Sequence, residues 1–291
     1  MAEVALNPIS IGRSGDRRID LTRGSAALIM VLFLNALACS PMGCVATTKD
    51  IAVPAGGDIQ VAIDTVAARE GGGVVTLKAG THVINRPIKM NSNVTLQGEG
   101  TLASTLITTN DIKMITASAD GLDNLTIRNM VIVGTNSVHG WGIHLASYNN
   151  NHHNVTLSGV HVFETGWGVH IKGAENLLIE HCNFSRNGNA DNKGYAHNLY
   201  LRRCYSATIT TSSFTNSVSG NGINISYCKD ISILGCQVIG NHFRGIRAAD
   251  SDGFFVHDCV IGENGTVGLL ANTEKVVTDR KSTRLNSSHY S

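Results

Sequence analysis

The chain has 291 residues, of which 15% are charged and 5% aromatic, with 31 glycines, 4 prolines and a formal net charge of +1. So little charge, combined with regularly spaced Val, Ile and Leu, excludes a disordered chain and suits many short strands joined by tight turns. The positive sign comes from the two ends: between residues 39 and 278 acidic residues outnumber basic ones 18 to 16, a balance that does not call for a nucleic-acid partner.

The first predicted element is an export signal. Arg17, Arg18 and Arg23 precede an apolar run from Ala26 to Ala38 that ends Ala36-Leu37-Ala38 before Cys39. A basic segment, a short greasy segment and a small-x-small site read as a signal peptide within residues 1–38, too short for an ordinary membrane span. A secreted, periplasmic or outer-surface bacterial protein is therefore expected. Cys39 in ALAC is also a candidate lipid-anchor position, second to simple cleavage. Residues 39–56 read as a polar linker and a first strand. A short helix is predicted over 58–70, since Asp58 is an N-cap type, Ile59, Ile63 and Val66 recur at helical spacing, and Gly71 stops it. Its expected role is to cap the apolar end and open strand edges of the coil that follows.

From Asn124 to Asn272 a two-part pattern recurs six times. The first runs are NLTIRNMVI from Asn124, NVTLSGVHV from Asn154, NLLIEHCNF from Asn176, SATITTSSF from Ser206, DISILGCQV from Asp230 and GFFVHDCVI from Gly253. Each is followed by a second run: WGIHLASY from Trp141, WGVHIKGA from Trp167, HNLYLRRC from His197, NGINISYC from Asn221, RGIRAADS from Arg244 and VGLLANTE from Val267. First runs start 30, 22, 30, 24 and 23 residues apart, the repeat length of a solenoid. Alternation puts Leu125/Ile127, Val155/Leu157, Leu177/Ile179, Ala207/Ile209, Ile231/Ile233 and Phe254/Val256 on one inward face, so coils stacked about 4.8 Å apart would build an aliphatic core from equivalent positions. The predicted class is all-β: a parallel β-helix over 57–278, with coils to about residue 272. The NxS/T asparagines (Asn93, Asn124, Asn154, Asn183, Asn224 and Asn264) mostly fall at strand or turn positions and are read as structural. Cys182, Cys236 and Cys259 share one repeat position, and Cys204 and Cys228 another; buried thiols are expected, with Cys204 and Cys228 the one pair to test for a disulfide. His152 and His153 are expected in a solvent-facing turn.

Upstream of the repeats, Ile59 to Gly100 carries Ala62-Ile63-Asp64, the Gly71-Gly72-Gly73 turn, Val75 and Leu77 before Gly80, Pro87-Ile88, and Ser92-Asn93-Val94-Thr95-Leu96 before Gly98 and Gly100. This segment resembles the amino-terminal part of the pectate-lyase superfamily of right-handed parallel β-helix proteins, and the repeats to Asn272 resemble its generic coil. The resemblance implies the fold; since the superfamily holds lyases, hydrolases, epimerases and non-enzymes, it leaves the activity open.

Alternation in the second runs gives one outward ladder of His144, His170, Tyr200, Asn224, Arg247 and Leu270, and a second of Ala146, Lys172, Arg202, Ser226, Ala249 and Asn272. Such a face suits an acidic polysaccharide, because uronate carboxylates need Arg or Lys and sugar hydroxyls need amide, hydroxyl and imidazole partners. In β-elimination a cation neutralises the carboxylate while a base removes the C5 proton. Lys172, Arg202 and Arg247 are the candidate neutralising groups, His144, His170 and Tyr200 the candidate proton carriers, and Asn224, Ser226 and Asn272 the candidate binding groups. A polysaccharide lyase is the first reading. The alternatives are a glycoside hydrolase or C5-epimerase on the same face, or a glycan-binding or structural β-helix without catalysis. Hydrolysis needs two flanking carboxyl groups, and the ladder holds none; Glu164, Glu180, Asp191, Asp250, Asp252 and Asp258 are the acids at hand. Calcium is conceivable as a cofactor, but Asp250-Ser251-Asp252 is explained as well by turn chemistry. Residues 134–140 and 187–195 are insertions expected to wall a groove beside Tyr200. The tail Asp279–His289 back-translates into a string resembling a sequencing-library adapter, so residues 279–291 are expected to be an artefact and the natural sequence to depart near Thr278.

Overall fold

The computed structural model describes residues 50–192 and 194–272, with the backbone of 276–278 and 283–284. The predicted signal segment and Cys39 lie outside the described residues, as do the side chains of Asn272 and everything after it. Among the described residues no helix is long and apolar enough to cross a membrane.

The chain winds as a right-handed parallel β-helix. Each full coil gives three strands to three parallel sheets, here called A, B and C. The strand His152–Phe163 runs in sheet A to Ser158, bends at Gly159 and continues in sheet B from Val160. The next strand, Trp167–Glu180, begins in sheet C and passes into sheet A of the following coil. The nine-residue first runs, which hydropathy presents as single strands, are therefore two strands on two sheets. The bend falls on the sixth residue of every run, where Asn129, Gly159, His181, Thr211, Gly235 and Asp258 all have φ between 47° and 60°. One left-handed residue turns the chain without interrupting the apolar pattern, so Met130/Ile132 and Val160/Val162 resume the inward alternation and are buried.

The aliphatic pairs predicted to face inward line a continuous core along the axis, with Leu125, Ile127, Val155, Leu157, Ile179, Ile209, Ile231, Ile233 and Val256 wholly shielded from solvent. Helix α1 (Ile59–Ala67) is capped by Asp58, whose carboxylate accepts from the Val61 N–H, and buries Ile59, Ala62, Ile63 and Val66 against the same core. The Asp58 carboxylate also meets Arg86 at 2.8 Å.

The corner from sheet C into sheet A is a second left-handed position, held by Asn93, Asn124, Asn154 and Asn176 with φ from 53° to 59°. Asparagine tolerates this region better than other side chains bearing a Cβ, and its amide adds a ladder: Asn124 donates to Asn93 at 2.8 Å, Asn154 to Asn124 at 2.9 Å and Asn176 to Asn154 at 3.4 Å. Three of the NxS/T asparagines thus stand in this ladder, while Asn224 and Asn264 are buried. The five described cysteines are buried thiols, and no disulfide joins Cys204 to Cys228. Their columns accept serine in the same role: the Cys182 N–H donates to Ser212 Oγ and the Cys236 N–H to Cys259 Sγ, as the Cys204 N–H donates to Cys228 Sγ and the Cys228 N–H to Ser251 Oγ. His152 departs from expectation. It opens a strand, is fully buried, and its Nδ1 accepts from the Leu122 N–H at 3.0 Å; the Asn149–Asn151 run before it carries the turn instead.

Asn154→Ala removes both the left-handed tolerance and two ladder bonds and is expected to cost about 1–2 kcal/mol. Asn154→Gly keeps the corner and should cost less, whereas Leu157→Ala should cost about 2–5 kcal/mol. Chemical denaturation measures all three; an alanine variant as stable as the parent would remove the corner from the list of fold determinants.

Candidate functional site

Sheet C brings the sequence-named residues together. Backbone register places His144 opposite His170, His170 opposite Tyr200, Tyr200 opposite Asn224 and Asn224 opposite Arg247 in one column. The neighbouring column runs Ala146, Lys172, Arg202, Ser226, Ala249, Asn272. The order is that of the sequence ladder because one strand per coil is laid on the last, about 4.8 Å apart.

A third column was missed by strict alternation. It consists of the first residues of the second runs, Trp141, Trp167, His197, Asn221 and Arg244, which a period of two would turn inward. The residue after each is glycine except Asn198, and at Gly168 and Gly245 there is no space for more: a Cβ on Gly168 would lie 2.2 Å from the Asn198 carbonyl oxygen, and one on Gly245 2.4 Å from that of Gly268. The stacked backbones fill this corner, so the preceding side chain is displaced onto the rim of sheet C. The recurring WG, NG and RG pairs are the signal that could have revealed it.

Rings pack continuously along the lower part of the sheet. Trp141 stacks on Trp167 at 4.6 Å, His170 stacks on Tyr200 at 4.7 Å, and His144 meets His170 edge-on at 5.2 Å. These neighbours cover His170 so fully that both ring nitrogens are buried without a hydrogen-bond partner. Burial, helped by the charges of His144, Lys172 and Arg202, lowers its pKa to about 3. His144 is lowered to about 4, by burial first and then by Lys113 and Lys172. His197 is lowered to about 3 by burial and then by Arg247 and Arg244, and its Nδ1 accepts from the Asn221 N–H at 2.9 Å. All three imidazoles are neutral at neutral pH.

The cations stand in two groups. On the edge leading to sheet A, the Lys172 ammonium lies 3.3 Å from the centre of the Tyr148 ring and the Arg202 guanidinium 5.8 Å from that of Tyr227. Asp120 fixes the Tyr148 turn by accepting from the backbone N–H groups of Tyr148 and Asn149. Lys172 has its pKa lowered by burial, then by Arg202 and Arg203. On the opposite edge Arg244 lies 3.9 Å over the Phe243 ring, and beside it, in the column of Tyr200, Arg247 reaches Asn224 Oδ1 at 3.5 Å. Among the described residues none of these four cations makes an ion pair, whereas Lys78, Arg86 and Arg186, away from sheet C, each face a carboxylate within 3.2 Å.

The two insertions are hydrogen-bonded to each other, and the second, through Gly194 and Tyr195, forms the wall beside Arg244. Asn192 donates to the Val138 carbonyl at 3.0 Å, Asn189 donates to that of Asn136, and Trp167 Nε1 also donates to Val138, at 3.1 Å. Between this wall and sheet C lies a cleft of about 590 Å³, lined among others by Trp167, Tyr195, His197, Tyr200, Asn224, Ser226 and Arg247.

The acids lie elsewhere. Glu164 pairs with Arg186, Glu180 accepts from Ser158 and Asp258 lies by His257. Asp191 is in the wall, in the short 3-10 turn Ala190–Asn192. Asp250 occupies a left-handed corner at φ 50°, and Asp252 accepts from the Gly253 N–H. Among the described residues no three His, Cys, Asp or Glu side chains converge as metal ligands.

Comparison with known proteins agrees with this architecture. Similar solved structures include the Agl-KA catalytic domain (17% identity, TM-score 0.62, covering 78% of this chain and 44% of that one). The A-module of the mannuronan C-5 epimerase AlgE6 of Azotobacter vinelandii gives 19% identity and a TM-score of 0.53, over 76% of this chain and 70% of that one. PfbA, a surface adhesin of Streptococcus pneumoniae, gives 16% and 0.53, over 76% and 74%. At such identities the likeness is one of fold. No curated protein matches the sequence. The family profile described as rhamnogalacturonase A/epimerase, pectate lyase-like, matches residues 50–270, and the chain belongs to that family.

Proposed function

We propose that this β-helix is carbohydrate-active, binding an acidic polysaccharide along sheet C and cleaving it by β-elimination, outside the cytoplasm as the predicted signal peptide requires. The observation that carries the reading is the set of unpaired cations. Buried or half-buried charges are ordinarily paired; among the described residues Lys172, Arg202, Arg244 and Arg247 make no ion pair, Asp120 acting on Lys172 only from a distance, so an anionic ligand would complete the set. A uronate carboxylate held by Lys172, Arg202 or Arg247 loses its charge, which acidifies the neighbouring C5–H. Tyr200 stands in the middle column, with Arg202 two residues along its strand and Arg247 two coils away. It is the proton carrier best placed among the cations, because the nitrogens of His170 are covered. Proton removal from C5, formation of the C4–C5 double bond and departure of the C4 oxygen with a proton complete the cleavage. C5 epimerisation shares the first of these steps but returns the proton to C5, so bond cleavage separates the two. Hydrolysis has no carboxyl pair on sheet C.

Incubation with pectate or alginate is expected to release an unsaturated, ultraviolet-absorbing uronate. Reducing ends without that absorbance would replace the lyase by a hydrolase, and binding without products would leave a glycan-binding protein. Joint replacement of Lys172, Arg202 and Arg247 by Ala should abolish polyanion binding, and Tyr200→Phe should lower kcat by roughly 10²–10⁴ with little change in binding.

The neutral imidazoles also set a pH dependence. His144, His170 and His197 hold their proton less tightly in the fold than in the unfolded chain, so below about pH 6.5 the unfolded state binds the extra protons. Stability should fall as pH drops from about 6.5 toward 3 and lose nothing further to these groups below that. Denaturation midpoints between pH 7 and 4 test this: His170→Gln should flatten the slope, and an unchanged slope would remove His170 as its source.

A further inference from the structure

The two cation groups of sheet C are not one site. Lys172 and Arg202 stand on the edge toward sheet A, beside Tyr148 and Tyr227. Arg244 and Arg247 stand in the walled cleft, two coils beyond Arg202 and three beyond Trp167 when counted along the sheet, with Trp167, Tyr195 and Phe243 around them. The cleft has its own charge imbalance. The Arg244 Nε is buried and without a partner, and its guanidinium is held against the Phe243 ring rather than a carboxylate. Among the described residues the polar contact of Arg247 is the long one to Asn224 Oδ1, at 3.5 Å. Two forked donors side by side match a carboxylate, which each can grip in bidentate fashion. The aromatic residues match the rest of a sugar: Trp167 forms one wall, and Tyr195, 72% exposed, offers its ring at the opening. A pyranose presents C–H groups on its ring faces, which pack on such surfaces, and its hydroxyls find Asn221, Asn224 and Ser226 on the floor. A volume of about 590 Å³ lies within the usual range for small-ligand sites, roughly 300–1,000 Å³.

We propose that this cleft is a separate uronate-binding subsite, in which Arg244 and Arg247 hold the carboxylate of one acidic sugar while Lys172 and Arg202 hold that of another on the same chain. The proposal rests on the reading of sheet C as an acidic-polysaccharide groove, but it concerns binding and does not require cleavage.

Trp141 and Trp167 are the two tryptophans of the sequence, so in a Trp141→Phe background the fluorescence of Trp167 reports on the cleft. Trimers of galacturonate, mannuronate and guluronate are the probes, with their carboxyl-reduced counterparts as controls. At least one acidic trimer should change the Trp167 emission saturably, with Kd rising as salt is added. Arg244→Ala or Arg247→Ala should raise that Kd at least tenfold, whereas Lys172→Ala with Arg202→Ala should leave the saturable change in place. Arg244→Lys, which keeps the charge but not the fork, guards against misfolding and should fall between the parent and Arg244→Ala. No saturable change with any acidic trimer, equal response to the reduced trimers, or an unaltered Kd in both arginine variants would overturn the subsite. If the change appears but no unsaturated product forms, the subsite stands and the lyase reading falls; if product forms without the change, the reverse holds.

Discussion

Parallel pairing in register between successive coils is the interaction on which everything else depends. Each strand gives its backbone hydrogen bonds to the coil before and the coil after, so equivalent residues lie about one strand spacing, 4.8 Å, apart. Like is therefore set on like. Aliphatic pairs gain a continuous core, asparagines a chain of amide bonds, and cysteine or serine a column in which each heteroatom accepts the N–H of the neighbouring coil. Cations gain nothing from such stacking: two unit charges at that spacing repel by about 3 kcal/mol at an effective dielectric of 20. Lys172 and Arg202, directly opposite in register, stand against the grain of the fold, and that conflict is what distinguishes sheet C from sheets A and B.

Aromatic rings moderate the conflict without removing it. Tyr148 under Lys172 and Phe243 under Arg244 offer a negative π face to each cation, worth on the order of 0.5–2 kcal/mol, and they leave the charge itself uncompensated. A carboxylate in the same place would have neutralised the groove permanently. The rings keep the cations in position without pairing their N–H donors.

The solenoid was legible in the sequence because its two determinants, spacing of the runs and inward alternation at Leu125/Ile127 and its equivalents, are local and repeated. The ladder of His144, His170, Tyr200, Asn224 and Arg247 followed from the same alternation and lies in register. What escaped detection lay at corners. The left-handed residue within each first run hides when it is His181 or Thr211 rather than Asn or Gly, so three sheets looked like two. His152 looked like turn because three asparagines precede it. Arg244 and Trp167 look inward by periodicity, and the crowding at the following glycine moves them to the rim; His197 shares their column although Asn198 follows it. Tyr148 beneath Lys172, held by Asp120 from an earlier coil, is a contact between segments that no single repeat contains.

The glycine column at the start of sheet C limits how such a protein can diversify. Backbone carbonyl oxygens occupy the space where a side chain would begin at Gly168 and Gly245, so neither position accepts a larger residue, and the column admits a side chain only at Asn198. The chain just before it varies in length between coils, and residues 134–140 and 187–195 are where two of them are longer. New ligand preferences in this architecture would then arise through gain or loss of whole loop segments ahead of the column, with the strands kept as an invariant loom on which they are woven.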